Sequence, residues 1–320
     1  MTETPLTEVP GTTDPDTRVP ETPDPATAAL NAEAPVTGTP GAEAPGSGPR
    51  TYDDFAGPGL DTAKWTHLEY PMQVGPPWRC ADPGAVTAVG DGTLAVDIER
   101  FRLAHDTVQI MDNPKYLLLS TEEFALPDAG RAVFTVDMRA TSRGGDRHDY
   151  RDGVAAFNVL DMETGSVFDV AANSEHVWAI HEMLPVPGAP EEPFTRMVED
   201  PFAGVAPGTG AVRRCQVVID TAGGHVRWVV DGRMIHQANG IAFPSRVRVG
   251  LGIFTLHPVG PDGSRSVNGQ GVSAAWSGLT VAYGDSVGSG GGAGPGGRTP
   301  GPDGPGGPDG PAGRTENGAS

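Results

Sequence analysis

Short apolar segments separated by turn residues recur between residues 51 and 284, and this pattern constrains the fold more than any other feature. The segments 93–98, 133–138 and 226–230 are rich in Val, Leu, Ile, Phe or Trp. Turn signals such as Gly90-Asp91-Gly92 and Asp231-Gly232 lie at their ends. No segment carries a capped apolar stripe with helical spacing. The sequence therefore predicts an all-β fold, an antiparallel sandwich of two sheets.

The remaining strands are predicted from the same pattern. Between them, the proline-rich stretch 185–210 is expected to be an excursion rather than a strand. The further predicted strands are 153–160, 167–171, 177–184, 216–220, 246–255 and 278–283.

Composition separates one domain from two tails. Residues 1–50 contain no aromatic residue and are rich in Pro, Thr, Ala and Glu, and residues 285–320 are mostly Gly, Pro, Asp, Ser and Arg. Neither segment has enough apolar surface to offset the entropy lost on ordering. Every Trp, Tyr and Phe lies between them. We expect one domain, residues 51–284, between a disordered tail 1–50 and a disordered tail 285–320.

The acidic balance of the chain limits its partners. The formal net charge is −19, of which the tails contribute −6 and −2, so the domain keeps −11. Phosphate contacts depend on Lys and Arg, so nucleic acid is not expected as a partner. Anionic membrane surfaces are disfavoured for the same reason. The charge itself favours solubility.

The cellular compartment is predicted from two kinds of segment, a secretory signal and a membrane span. The first thirty residues have no basic region followed by an apolar core, as a secretory signal would, and no run approaches the length of a membrane span. We therefore expect a cytoplasmic protein. In a reducing compartment Cys80 and Cys215 are expected to be free thiols, and a disulfide between them is the alternative.

Three motifs resemble one fold superfamily. They are Tyr52-Asp53-Asp54-Phe55 followed by Leu60-Asp61-Thr62-Ala63-Lys64-Trp65, then Trp228-Val229-Val230-Asp231-Gly232, and finally Trp276-Ser277-Gly278-Leu279-Thr280-Val281. They are similar to the first strand, a hairpin and the last strand of concanavalin A-like lectins and glucanases. The resemblance implies a jelly-roll sandwich, a member family of unknown function, and ligand binding on the concave face of one sheet.

Strand alternation suggests where such a ligand would bind. Asn158, Asp169 and Glu182 interrupt otherwise apolar strands that we expect to be neighbours. A polar residue within a buried strand needs a partner or a ligand. His176 and Trp178 share the predicted face of Glu182, with Trp178 as a stacking surface. The candidate ligand contacts also include Arg151, which lies in the charged loop 148–152.

Asp169 and Glu182 are the candidate catalytic pair, because two carboxyl groups in a semi-apolar cleft acquire different pKa values. Glycoside hydrolase family 16 carries E-x-D-x-x-E on one strand. Here the comparable segment 166–171 holds a single acid, Asp169. This departure argues against the retaining glycosidase mechanism of that family.

Three functions are therefore weighed. The preferred hypothesis is a β-sandwich that binds a carbohydrate or another small molecule on its concave face. The alternatives are a hydrolase, lyase or cyclase that uses the same face, and a protein-interaction domain without a ligand pocket. Whether the chain catalyses a reaction, and its oligomeric state, stay open.

No cofactor is predicted, because no metal-binding, phosphate-binding or dinucleotide-binding motif occurs. The alternative is a calcium site built from Asp53 or Asp54 together with backbone carbonyl oxygens.

Overall fold

The domain is a sandwich of two antiparallel β-sheets, as the sequence predicts. A computed structural model describes residues 48–70, 76–104, 114–186, 192–199, 210–257 and 267–285. Except for residues 48–50 and 285, the two predicted tails lie outside the described residues. In the described part of the chain the helical structure is one 3-10 turn, Tyr150–Asp152, and no helix is long and apolar enough to cross a membrane.

The first sheet has the last strand of the domain near its centre. Its order is β16-β15-β14-β9-β18-β6-β5, and β1 also pairs with β18. The strands are β1 (Arg50–Asp53), β5 (Ala85–Gly90), β6 (Thr93–Ile98), β9 (Arg131–Arg143), β14 (Arg213–Asp220), β15 (His225–Val230), β16 (Arg233–Asn239) and β18 (Gly271–Gly284).

The second sheet carries the candidate site. Its order is β13-β12-β11-β10-β17-β7-β2, and β8 also pairs with β17, while β3 and β4 form a separate hairpin. The strands are β2 (Trp65–His67), β3 (Glu69–Tyr70), β4 (Trp78–Arg79), β7 (Pro114–Ser120), β8 (Phe124–Ala125), β10 (Val154–Leu160), β11 (Ser166–Ala172), β12 (Val177–Met183), β13 (Phe194–Val198) and β17 (Arg246–Phe254).

The motif residues occupy the predicted positions. The first strand pairs with the last, with Arg50 opposite Val281. Asp231 and Gly232 join β15 to β16 with φ angles of 52° and 77°, the left-handed backbone that a two-residue hairpin of this kind requires. Trp228 and Trp276 are fully buried between the sheets.

One stretch was assigned incompletely from the sequence. The segment 185–210 contains β13, which pairs with β12 at the edge of the second sheet. An edge strand needs a partner on one side only, so it tolerates the exposed polar side chains and the preceding Pro193 that concealed it.

Both cysteines are free and buried, as predicted. Burial raises the pKa of the Cys80 thiol to about 12 and raises that of Cys215 as well. Since the thiolate is the reactive form, both are inert packing residues.

A buried carboxylate fixes the opening segment of the domain. Asp53 Oδ2 accepts a hydrogen bond of 2.7 Å from Trp65 Nε1, and Asp53 Oδ1 accepts one of 3.0 Å from the Phe55 backbone N–H. Trp65 in turn packs against Tyr52, with ring centroids 5.4 Å apart. These contacts tie β1 of the first sheet to β2 of the second.

Replacing Asp53→Ala is expected to lower the free energy of unfolding by about 1–3 kcal/mol, because a buried indole N–H would lose its partner. Urea denaturation measures the change. Asp54→Ala is the control, since Asp54 is exposed and its carboxylate accepts only from the Ala56 N–H. Equal losses in the two variants would contradict this account.

Candidate functional site

The outer face of the second sheet, directed away from the first sheet, brings the predicted polar residues together. Asn158 on β10 lies directly opposite Asp169 on β11. Asp169 lies opposite Ile180 on β12, so Glu182, two residues farther along, is its diagonal neighbour. This is the adjacency that strand alternation predicts.

This face is closed to solvent. All seven residues of β7, of β10 and of β11 are buried, which means that both faces of these strands are covered. Asn158 is 1% exposed and Asp169 is 7% exposed. Antiparallel sheets commonly leave one face solvated, so polar groups here have to be satisfied without bulk water.

Several of those polar groups are not satisfied. Asn158 Nδ2, Asn158 Oδ1 and Asp169 Oδ1 are buried and make no hydrogen bond of ordinary geometry among the residues that the structure describes, although the Asn158 amide lies near enough to Asp169 to oppose the rise in its pKa. An unpaired buried amide or carboxyl oxygen costs about 1–3 kcal/mol each. Proteins seldom retain such groups without a use for them.

The two carboxyl groups share a raised affinity for protons. Burial raises the pKa of Asp169 well above its usual range, and the nearby charge of Glu182 raises it further. Burial also raises the pKa of Glu182, although a 2.7 Å hydrogen bond from Thr195 Oγ1 opposes that shift. The raised pKa favours the protonated form of Asp169, which can both donate and accept a hydrogen bond.

Gly250 makes room for the polar pair, which consists of Asn158 and Asp169. Gly250 on β17 lies opposite Asn158. A methyl group on Gly250 would lie 3.2 Å from Asn158 Oδ1 and 3.0 Å from Leu119 Cδ2. Both distances are tighter than ordinary contact, so the absence of a side chain at Gly250 sets the space in which the amide lies.

Trp178 and His176 lie on the same face but in a more confined setting than predicted. Trp178 is 4% exposed, and His176 stacks on it with ring centroids 5.5 Å apart. Tyr150 contacts it at 6.2 Å in an edge geometry. Trp178 is thus covered by its neighbours in this structure rather than open as a stacking surface.

His176 also belongs to a row of hydrogen-bonded side chains at the end of this face. Its Nδ1 lies 2.6 Å from Glu199 Oε1, and its Nε2 lies 3.0 Å from His148 Nδ1. A carboxylate and two imidazoles in sequence fix the tautomers of both rings. These hydrogen bonds join the loop before β10 to the start of β12 and the end of β13.

Arg151 does not join the polar pair. Its guanidinium is held by its neighbour Asp149, with Nε 2.8 Å from Oδ1 and Nη2 2.6 Å from Oδ2. A role for Arg151 in ligand binding stays a prediction.

Two residues of this face were missed from the sequence. Lys115 on β7 is 1% exposed and donates a 2.7 Å hydrogen bond from Nζ to the carbonyl oxygen of Leu103. A lysine within the apolar run of 114–120 was the available signal. Thr195, the partner of Glu182, was hidden because its strand was not predicted.

The structure gives the proposed calcium ligands other roles. Both carboxylate oxygens of Asp53 accept hydrogen bonds from N–H groups. Within the described ranges no three His, Cys, Asp or Glu side chains converge as metal ligands would. Calcium binding therefore gains no support at this position.

The fold now defines a class. Two antiparallel sheets packed face to face, with the first and last strands paired, form a jelly-roll sandwich of the concanavalin A-like type. The chain belongs to the family of unknown function DUF6081, whose model matches residues 52–285. A search of curated protein sequences finds no match.

Solved structures share this fold at low sequence identity. An endo-1,3-beta-glucanase from Streptomyces sioyaensis is 16% identical, with 77% of this chain and 100% of that chain covered and a TM-score of 0.50. The catalytic domain of an endo-1,3-beta-glucanase (laminarinase) from Thermotoga petrophila RKU-1 is 12% identical. The match covers 75% of this chain and 99% of that chain, with a TM-score of 0.47. The first likeness agrees with the predicted jelly-roll fold, and at this identity it shows the fold alone.

Replacing Asn158→Val is expected to raise the free energy of unfolding by about 1–3 kcal/mol, because it removes two unpaired buried polar atoms from an apolar strand. Urea denaturation measures the gain. In the control Thr135→Val, a buried hydroxyl that accepts a 3.0 Å hydrogen bond from Gln216 Nε2 is lost, so stability should fall. A fall in both variants would show that Asn158 is satisfied in solution.

The stability of the wild-type protein should decrease as pH rises above about 4, the pKa of an unfolded Asp. The folded-state pKa of Asp169 is raised, so its contribution is complete at low pH and is lost as the carboxyl group ionises. Asp169→Asn should flatten this part of the curve of unfolding free energy against pH. The exposed control Asp54→Asn should leave the curve unchanged. If Asp169→Asn also leaves it unchanged, Asp169 does not cause the pH dependence.

Proposed function

We propose that the outer face of the second sheet binds a small neutral molecule rich in hydroxyl groups, with a carbohydrate as the preferred class. The observation that carries this proposal is the set of buried, unpaired polar atoms on Asn158 and Asp169. A ligand that supplied the missing hydrogen bonds would recover the free energy that these unpaired atoms cost the protein.

The raised pKa of Asp169 favours a neutral ligand over a cationic one. A neutral carboxylic acid offers one donor and several acceptor positions, and the amide of Asn158 offers both kinds as well. A sugar hydroxyl also donates and accepts. A cationic ligand would instead require both carboxyl groups to ionise in an environment that raises their pKa values.

The apolar surroundings suit the C–H surfaces of a sugar ring or of another small polyol. Ile180 and Trp178 form one apolar cluster on this face with Val154, Ala156 and Ala171. Ligand sites commonly combine such a lining with a few fixed polar groups.

The fold supports the choice of a carbohydrate. The structure from Streptomyces sioyaensis is that of an endo-1,3-beta-glucanase. Fold alone does not fix function, so this likeness adds weight to the choice that the polar pair suggests and does not replace it.

Catalysis by Asp169 and Glu182 is the second candidate. The charge of Glu182 raises the pKa of Asp169, as expected for a pair in which one group stays protonated while the other ionises. In that case Asp169 is the proton donor and Glu182 the base. Asp169→Asn and Glu182→Gln should each abolish turnover of a ligand found by binding, and unchanged turnover in both would remove them from the mechanism.

A thermal-shift screen of the full chain against monosaccharides, disaccharides and polyols tests the binding proposal. A ligand at a hundredfold excess over its Kd stabilises the native state by about 2.7 kcal/mol. Asn158→Val should abolish the shift although it stabilises the free protein. Asp169→Asn should keep much of it, because an amide resembles a protonated acid.

Thr135→Val is the control and should retain the full shift, since Thr135 lies on the first sheet. The absence of a thermal shift with every neutral compound, or a shift that Asn158→Val leaves intact, would contradict the proposal.

A further inference from the structure

A cluster of aromatic and basic residues lies where the edges of the two sheets meet. We name it the seam, comprising His181 on β12, Phe194 and Arg196 on β13, Trp228 on β15 and His236 on β16. β13 is the last strand of the second sheet and β16 the last strand of the first. His181 lies opposite Arg196, and Trp228 lies opposite His236.

Ring contacts run continuously through the seam. The guanidinium carbon of Arg196 lies 4.6 Å from the centre of the Phe194 ring, and that ring lies 4.9 Å from His181. His181 lies 5.9 Å from Trp228, which lies 5.2 Å from His236. Arg196 and His236 therefore lie at the two ends of a row of aromatic rings, and the charge of Arg196 reaches His236.

The basic groups of the seam repel one another. Burial first, and then the charges of Arg196 and His236, lower the pKa of His181 to about 4. Burial and Arg196 lower the pKa of His236 as well. Among the described residues no Asp or Glu contributes to the pKa shift of His181 or of His236. This is unusual in a chain whose net charge is −19.

The seam also holds an unsatisfied buried atom. His181 is 5% exposed, and its Nδ1 has no hydrogen-bond partner in the part of the chain that the structure describes. The three basic residues come from both sheets, so no single strand explains their convergence. An uncompensated cationic group beside a buried, unpaired imidazole is an arrangement that an anion would complete.

We infer that the seam binds an oxyanion, such as the carboxylate, sulfate or phosphate group of a small molecule, through Arg196 and His236. The planar guanidinium presents paired N–H donors that match two oxygens of such a group. Arg196 is exposed and its cation–π contact with Phe194 leaves those donors at the surface. His236, half-buried, adds one N–H donor from the opposite sheet.

The seam is independent of the proposed carbohydrate site. His181 points between the sheets, whereas Ile180 and Glu182 on either side of it point to the outer face. A ligand at one site therefore contacts none of the residues assigned to the other. Failure of either proposal leaves the other standing.

NMR titration of the histidine ring signals in the full chain tests the inference, at pH 6.5 and constant ionic strength. Inorganic phosphate, sulfate and glucuronate are the probes, and glucose is the neutral control. We expect His236 to shift saturably with at least one oxyanion and not with glucose. Response to glucuronate as well as to the inorganic ions would indicate a site for organic carboxylates, and response to the inorganic ions alone a site for tetrahedral oxyanions.

Arg196→Gln should weaken the affinity about tenfold or more, since it removes the paired charged donors. The matched control is Arg139→Gln, which removes an exposed arginine from β9 and should leave the affinity unchanged. Asn158→Val should also leave it unchanged. An absence of saturable shifts in the wild-type protein, or equal affinity in Arg196→Gln and Arg139→Gln, would overturn the inference.

Discussion

Burial of the second sheet on both faces is the constraint on which the rest of the structure depends. One face packs on the first sheet through residues such as Phe157 and Phe168, and the other face is equally closed. Every residue of β7, β10 and β11 is thereby buried. A polar residue in such a strand costs free energy unless something meets it. The significance of Asn158 and Asp169 follows from this setting rather than from their chemistry alone.

Alternation and turn chemistry were sufficient to predict the strands that carry Asn158, Asp169 and Glu182 and the face on which these residues lie. The predicted adjacency depended on three consecutive strands joined by short turns, for which local pattern suffices. β13 escaped prediction because an edge strand carries mixed polarity. The closure of the outer face escaped it too, since apolar residues on both faces indicate burial but not what provides it.

The seam could not be found from the sequence for a different reason. His181, Arg196 and His236 come from three strands and from two sheets, and their meeting depends on how the edges of the sheets come together. No periodicity within a strand contains that information. Neighbouring residues of β12 thus face opposite environments, with Glu182 beside Asp169 on one face and His181 beside Arg196 on the other.

The position of β18 sets the order in which this protein can be made. It is the last strand in sequence, yet it lies between β9 and β6 and also pairs with β1. During synthesis the first sheet therefore lacks its centre until residues 271–284 have left the ribosome. Pairings of such large sequence separation form slowly, and unpaired edges are exposed until they do. The first sheet can therefore be completed only after its final strand has been made.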